Sequence, residues 1–328
     1  MAGLAVSFAG SVAGLIGRPL GPHEAFAVAV SGGPDSLALL LLAHEAFGGR
    51  VRALTVDHGL RADAAVEAAA VAALCAARSI PHATLPWPGA KPAANLQAAA
   101  RAARYSLMAG WCAAAGVAWL ATGHHADDQA ETLLLRLARG SGLAGLTGIR
   151  PRRSLGHGVT LLRPLLGARH ADLVALAVAA GLDPVDDPAN RSPAFDRTRA
   201  RALLAATPWL DPARLADVAD RLAAAAAALD WVADLAWTSR VVADGATLAV
   251  DAADLPRDVR HRLVVRALAE LAPETVPRGP AIGRLIARLD RGRPGTLAGI
   301  AVLPGPVWRF AAAPARTPRA NDRALTAI

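Results

Sequence analysis

The chain has 328 residues, 54% hydrophobic and 19% charged, with a formal net charge of +8 and only two cysteines. That length is enough for two domains with cores of their own, and the composition is that of an ordinary globular chain. No apolar run is long and uninterrupted enough to argue for a membrane span. Cys75 and Cys112 make no CxxC pair, so neither a zinc site nor an iron–sulfur cluster is indicated, and both read as core residues of a cytosolic protein. Lys91 is the sole lysine, so the basic excess is nearly all arginine. Arginine suits phosphate recognition and an acidic macromolecular partner, but a GC-rich genome would produce the same bias.

In chain order, Met1–Gly17 is apolar but lacks a basic segment ahead of the apolar stretch, and reads as an amphipathic helix rather than a signal peptide. Residues 25–30 (Ala-Phe-Ala-Val-Ala-Val) predict a short buried strand and residues 35–46 a helix. Between them lies Ser31-Gly32-Gly33-Pro34-Asp35-Ser36. Pro34 suits the first helical position, where its missing N–H costs nothing, with Gly33 as N-cap. A strand that runs through a glycine turn into a helix aims unpaired N–H groups at one point, with the positive end of the helix dipole behind them. Such a point attracts an anion, and Ser31 and Ser36 add hydroxyl donors around it. Asp35 sits where a phosphate belongs, so a cation must lie between the two, which points to a magnesium-bound polyphosphate. A tight, well-capped turn is the plain alternative. The loop has neither the Gly-Lys-Ser/Thr of a Walker loop nor the dinucleotide glycine pattern.

Val51–Val56 predicts a second strand, ending at Asp57-His58-Gly59-Leu60-Arg61, where the backbone can meet the adenine and ribose of a nucleotide. A helix from about Asp63 to Arg78, a strand at His82–Leu85, a helix from Asn95 to Ala115 that carries Arg101 and Arg104, a buried strand at Val117–Ala121 and a helix from Ala126 to Arg139 follow. This alternation predicts a doubly wound, mostly parallel α/β sheet with ligands at the carboxyl ends of its strands. The segment Thr-Gly-His-His-Ala-Asp-Asp-Gln-Ala-Glu-Thr at 122–132 is the richest in chemistry. His124, Asp128 and Glu131 recur at spacings of four and three, on one face as the helix begins. Such a cluster suits a metal, and equally an ammonium group whose proton it removes; a solvated acidic helix start is the bland reading. Gly140–Gly148 reads as a mobile loop able to close over a substrate. Pro208 and Pro212 bracket a break that divides the chain into 1–212 and a smaller, mainly helical α/β domain at 213–328. In the latter a long helix (213–239), a strand pair (241–250), helices near 257–271 and 281–289 and a Gly/Pro-punctuated stretch at 291–310 are expected.

SGGPDS at 31–36 resembles the nucleotide loop of the ATP pyrophosphatase superfamily. With VDHGLR at 56–61, ARAARY at 100–105, GHHADDQAETLLLRLARGSGLAGL at 123–146, RPLL at 163–166 and DPAN…FDRTRAR at 187–201, the chain resembles the tRNA(Ile)-lysidine synthases, in that family's order, over most of its first 201 residues. Thr198 departs from the family's pattern, which has asparagine there. The resemblance implies an adenine nucleotide alpha hydrolase-like fold, ATP as substrate and Mg²⁺ at Asp35. It also implies two steps: adenylylation of O2 of the wobble cytidine of an isoleucine tRNA, then attack of the ε-amine of free L-lysine on C2 with loss of AMP. On that basis Ser31, Gly32, Gly33, Pro34, Asp35, Ser36 and His58 bind ATP, and His124, Asp128 and Glu131 hold lysine. Asp35, Arg104, Asp128 and Glu131 form the catalytic set, while Arg197 and Arg201 face the nucleotide or tRNA. The expected partners are that tRNA and lysine in the cytoplasm, with no membrane and with a homodimer left open; Arg257, Arg260 and Arg262 are expected to position the tRNA. Two readings compete. A thiolase-like ATP pyrophosphatase is disfavoured by the missing cysteine pairs, and a nucleotide-dependent tRNA-binding protein would leave the acidic cluster without a job.

Overall fold

The computed structural model describes residues 2–60, 64–92, 94–182, 196–275, 277 and 279–314. Arg61, Asp187–Asn190 and Phe195 lie outside the described residues. The chain divides into two units, 1–223 and 224–328.

The first unit begins with α1 (Ala2–Ile16), β1 (Phe26–Ala29), α2 (Pro34–Phe47), β2 (Val51–Asp57), α3 (Ala64–Ala77), β3 (His82–Pro86) and α4 (Leu96–Ala114). It continues through β4 (Trp119–Ala121), α5 (Ala126–Ala138), the single turn α6 (Leu143–Leu146), β5 (Arg152–Gly156), β6 (Val159–Leu162), α7 (His170–Ala179) and α8 (Asp196–Ala206). The strands form one sheet in the order β3-β2-β1-β4-β6-β5. All neighbours run parallel except the β5–β6 hairpin at one edge. From β1 the chain goes first to β2 on one side and later to β4 on the other. The order therefore reverses between β1 and β4, and a doubly wound sheet opens its ligand crevice at such a point.

Both faces of the sheet are covered, and β1 shows how. Phe26 and Val28 join the core made with α1, α2 and α7, while Ala27 between them packs into the core on the α4 side, as the two-residue period of a strand requires. The Phe26 ring lies tilted against Phe47, 5.0 Å between centroids, and edge-on to Phe8 at 6.4 Å. Burying such a ring contributes about 1.5–3 kcal/mol. Cys75 and Cys112 fall in these two separate cores as free thiols. Burial pushes them up to about 11 and about 12 respectively, so both stay protonated and inert.

Three segments differ from the sequence-based expectation. The β5–β6 hairpin and α7 occupy a stretch where no element was expected. Gly140–Gly148 is fastened rather than loose: Arg136 donates from Nη1 to the carbonyls of Gly145 (2.6 Å) and Gly148 (2.7 Å), and the Gln129 amide donates to the Ile149 carbonyl at 3.2 Å. The second unit keeps its expected helices and strand pair, and the Gly/Pro-punctuated stretch adds three further strands. Beyond α9 (Pro212–Arg240), which carries the unit boundary, come β7 (Val241–Asp244), β8 (Thr247–Val250), α10 (Arg257–Leu271), α11 (Gly279–Leu289), β9 (Gly295–Leu297), β10 (Ile300–Leu303) and β11 (Trp308–Ala312). These five strands form an antiparallel sheet, β7-β8-β11-β10-β9, whose Val250, Val302 and Phe310 meet Leu263, Leu268 and Ile282 of the helices. Arg260 is bound to Asp290 at 2.7 Å, and Arg262 to Asp258 at 2.8 Å and to Asp230. Both arginines are therefore paired with acids of their own unit. No described helix is long and apolar enough to cross a membrane.

The first loop after β4 comes very close to the start of α2. A Cβ on Gly123 would lie 2.8 Å from the Asp35 carbonyl oxygen and 2.9 Å from its carbon, and backbone cannot give way as a side chain can. Gly123→Ala is therefore expected to cost about 1–3 kcal/mol in urea unfolding of the whole chain. Gly110→Ala in α4, where a Cβ meets nothing within 4 Å, is the control. It should be neutral or stabilise by about 0.5–1 kcal/mol, as expected for alanine replacing glycine inside a helix.

Candidate active site

The site is built at the carboxyl ends of β1 and β4. After β1 the backbone turns through Gly32 at φ +86°, a conformation that favours glycine, and reaches α2 with Gly33 as N-cap and Pro34 first in the helix. Ser36 shapes this loop from within: its hydroxyl donates to the Gly33 carbonyl at 2.9 Å and accepts from the Ser31 N–H at 3.1 Å, with Ser31 Oγ at 3.3 Å. Ser36, expected among the ATP-binding residues, is buried here and braces the loop from within. Asp35, beside it, points out into a cluster of histidines.

His125 caps α5: its backbone N–H donates to Asp128 Oδ2 at 3.2 Å in a capping box. Its ring faces three carboxylates, with Nε2 3.5 Å from Asp35 Oδ2 and 3.6 Å from Asp128 Oδ2, and Nδ1 3.6 Å from Asp127 Oδ2. His170, the first residue of α7, places Nδ1 2.8 Å from Asp35 Oδ1 and donates its backbone N–H to Asp127 Oδ2 at 2.8 Å. The two imidazoles stack, 5.1 Å between centroids. The N-termini of α2, α5 and α7 thus meet at one place. Burial alone would raise Asp35, but the hydrogen bonds from His125 and His170 outweigh it and hold the carboxyl well below the usual range. Burial alone would lower His125, but Asp127 and Asp35 outweigh it and push it up to about 10. The hydrogen bond to Asp35 likewise raises His170. With these partners Asp35 is ionised, and as a carboxylate at a phosphate-type loop it fits one ligand of a Mg²⁺ ion, which takes one or two carboxylates and phosphate oxygens.

Asp128 and Glu131 are brought together, as their spacing predicted, but by arginines. Arg197 of α8 donates from Nη2 to Asp128 Oδ1 at 3.2 Å and from Nε to Glu131 Oε2 at 3.0 Å. Arg201, one turn on, donates from Nε to Glu131 Oε1 at 2.8 Å. Glu131 is 1% exposed while both arginines are about half exposed, so α8 holds two cations over a buried carboxylate. Arg197 and Arg201, expected to face nucleotide or tRNA, are paired with acids here while staying about half exposed. His124 lies just before α5, not on it, with Nδ1 2.9 Å from Thr122 Oγ1; burial pushes its pKa down and keeps the ring neutral. A second group stands at the end of β2. Arg104 Nη2 lies 3.2 Å from His58 Nε2, and the His58 ring meets Trp87 edge-on at 5.8 Å. Burial, then the charge of Arg104, lowers His58.

Sequence reading passed over Gly123, His125, Asp127 and His170. His125 and Asp127 lay inside the motif already singled out, where the capping position of His125 was the available signal. His170 gave none, since it pairs with Asp35 across 135 residues.

Residues 7–207 match the PP-loop domain family, which defines the class: a PP-loop enzyme. The chain is 42% identical, over 93% of its length and 93% of the other, to the tRNA(Ile)-lysidine synthase of Zymomonas mobilis subsp. mobilis. It is 46% identical to that of Novosphingobium aromaticivorans, over 90% of this chain and 91% of that one. The chain belongs to the tRNA(Ile)-lysidine synthase family. Among solved structures it shares its fold with the U34-tRNA thiolase of Methanococcus maripaludis, with a TM-score of 0.54 at 19% identity, over 67% of this chain and 79% of that one. That thiolase carries a [4Fe-4S] cluster, whereas Cys75 and Cys112 here are buried in separate cores.

The arrangement around Glu131 makes a stability prediction. Glu131→Gln frees two half-exposed guanidiniums to turn to water, and should cost about 1–3 kcal/mol. The double variant Arg197→Ala, Arg201→Ala strands a buried carboxylate, and should cost about 3–5 kcal/mol. Urea unfolding of the full chain ranks the two; the reverse order would mean that the arginines do not neutralise Glu131.

Proposed function

We propose that this chain joins L-lysine to C2 of the wobble cytidine of an isoleucine tRNA at the expense of ATP, releasing AMP and pyrophosphate. The observation that carries the reading is the contact at Gly123, which sets the 31–36 loop directly against the segment bearing Asp128 and Glu131. A loop suited to a triphosphate and an acidic pair suited to an ammonium group, Glu131 buried and Asp128 partly so, then share one crevice.

In the first half-reaction the glycine-loop amides bind the departing pyrophosphate, and the hydroxyl of Ser36 keeps that loop in shape. Asp35 is the residue to hold Mg²⁺, which when bound supplies the charge that lets a carboxylate and a triphosphate share the loop. His58 and Arg104 flank the nucleotide at the end of β2, and Arg104 stabilises charge developing on the α-phosphate or the base oxygen. In the second, the ε-amine, with an ordinary pKa of about 10.4, must be captured and deprotonated before it attacks. Asp128 and Glu131 take that task beside the neutral His124. Arg197 spans the two carboxylates, so capture of the ammonium requires this arginine to give way. The reactants, tRNA and free lysine, place the enzyme in the cytoplasm.

Two outcomes test the assignment. Asp35→Asn should lower pyrophosphate release about a hundred- to thousand-fold, the worth of one oxyanion-type contact, across a magnesium titration. Asp128→Asn should leave tRNA-dependent pyrophosphate release near the wild-type rate and abolish incorporation of radiolabelled lysine, even with lysine in large excess. Equal loss of both steps in Asp128→Asn would remove the lysine-capture role.

A further inference from the structure

A second group of arginines stands beside the crevice, and the reaction above leaves it without a task. Tyr105 of α4 is buried under two guanidiniums, with Arg101 Cζ 5.3 Å and Arg153 Cζ 4.8 Å from the centroid of its ring. Arg153 lies on the edge strand β5 opposite Leu161, which joins Tyr105 in the core on the α4 side. Arg163, directly after β6, is 5% exposed; its Nη1 donates to the Arg150 carbonyl at 2.5 Å, and its Nε is buried with no hydrogen-bond partner. Burial is the main cause that lowers Arg163; Tyr105 beside it acts the other way, and the charges of Arg153 and Arg101 lower it again. The three guanidiniums therefore feel one another. Arg197 and Arg201 have carboxylate partners, whereas among the described residues no ion pair reaches Arg101, Arg153 or Arg163. Like charges gathered without an acid repel, and a polyanion relieves that repulsion. A guanidinium held over an aromatic ring also keeps the N–H donors of its edge for a phosphate. One end of the group reaches the crevice: burial is the main cause that lowers His124 there, and the charges of Arg163 and Arg101 add to it. The other end opens into a groove of about 660 Å³ lined by Arg101, Tyr105, Ser106, Arg153, Ser154 and His157.

We propose that Arg101, Arg153 and Arg163, gathered around Tyr105, form a binding surface for the phosphate backbone of RNA, which holds the strand flanking the nucleotide in the crevice. The choice of RNA rests on the tRNA reading above. Continuity with the crevice favours RNA over an acidic protein segment, because a reacting nucleotide brings its neighbours with it. Contacts of this kind set the register of the strand and leave the reading of bases to other groups.

Binding of a fluorescein-labelled RNA stem-loop with the anticodon loop of an isoleucine tRNA tests it, measured by anisotropy on the full chain across a salt series, without ATP or lysine. Arg101→Ala and Arg153→Ala should each make the slope of log affinity against log salt shallower by about 0.7–0.9, and the double variant should bind roughly tenfold more weakly at low salt. Both residues are exposed, so the double variant should melt as wild type does and bind ATP unchanged. Arg18→Ala removes the same charge ahead of β1, from a pair with Glu24, and should leave RNA binding as it was. An unchanged slope in the folded double variant or an equal loss in Arg18→Ala would overturn the surface. So would loss of ATP binding together with RNA binding, or displacement of the RNA by polyglutamate as readily as by unlabelled RNA. RNA that binds through these arginines and never gains lysine would support the surface and count against the reaction proposed above.

Discussion

Four carboxylates, those of Asp35, Asp127, Asp128 and Glu131, crowd the carboxyl ends of β1 and β4, and their mutual repulsion has to be met in a place with little water. The chain answers with His125 and His170 over Asp35, and with Arg197 and Arg201 over Asp128 and Glu131. Three helix N-termini add partial positive charge. Much else in the first unit follows from this balance. α7 must lie where its first residue reaches Asp35, and α8 where two of its arginines, one turn apart, reach Glu131.

A buried ion pair is a poor source of net stability, because desolvation offsets most of the attraction. The hydrophobic core around Phe26 and Leu39 does that work, packed by α1, α2 and α7 against one sheet face. What the ionic cluster supplies is position. It fixes the rotamers of the charged groups against elements that the core has already made rigid, so a substrate meets donors and acceptors whose order was settled on folding. The glycine at 123 belongs to the same requirement, because only a residue without a side chain lets the acidic segment approach the backbone at Asp35.

The cysteines mark a division within the fold. The thiolase of Methanococcus maripaludis shares this architecture and carries a [4Fe-4S] cluster. In the present chain both thiols are sealed in apolar cores and pushed towards the protonated form by burial, so they offer nothing to iron. The charged side chains gathered at the site are carboxylates, imidazoles and guanidiniums.

The sequence determined what depends on neighbours along the chain. The alternation of apolar strands and helices predicted the doubly wound sheet. Gly32, Gly33 and Pro34 predicted the turn into α2, because left-handed backbone and a missing N–H are local matters. The spacing of Asp128 and Glu131 predicted their shared place on α5. Less was legible where the cause lies far away. The hairpin at 152–162 and the strands of 295–312 are too short and too interrupted by glycine and proline to show a period, and they exist because a sheet edge is there to pair with. Arginines 197 and 201 gave a basic pattern that suits RNA, yet pairing over 66 and 70 residues turns them onto an acid that burial would otherwise leave uncompensated. His170 met Asp35 only because β6 beside β4 carries the chain back to the crevice before α7 begins. Local pattern fixes which side chains can be presented, and only the packed sheet decides which charges must face one another.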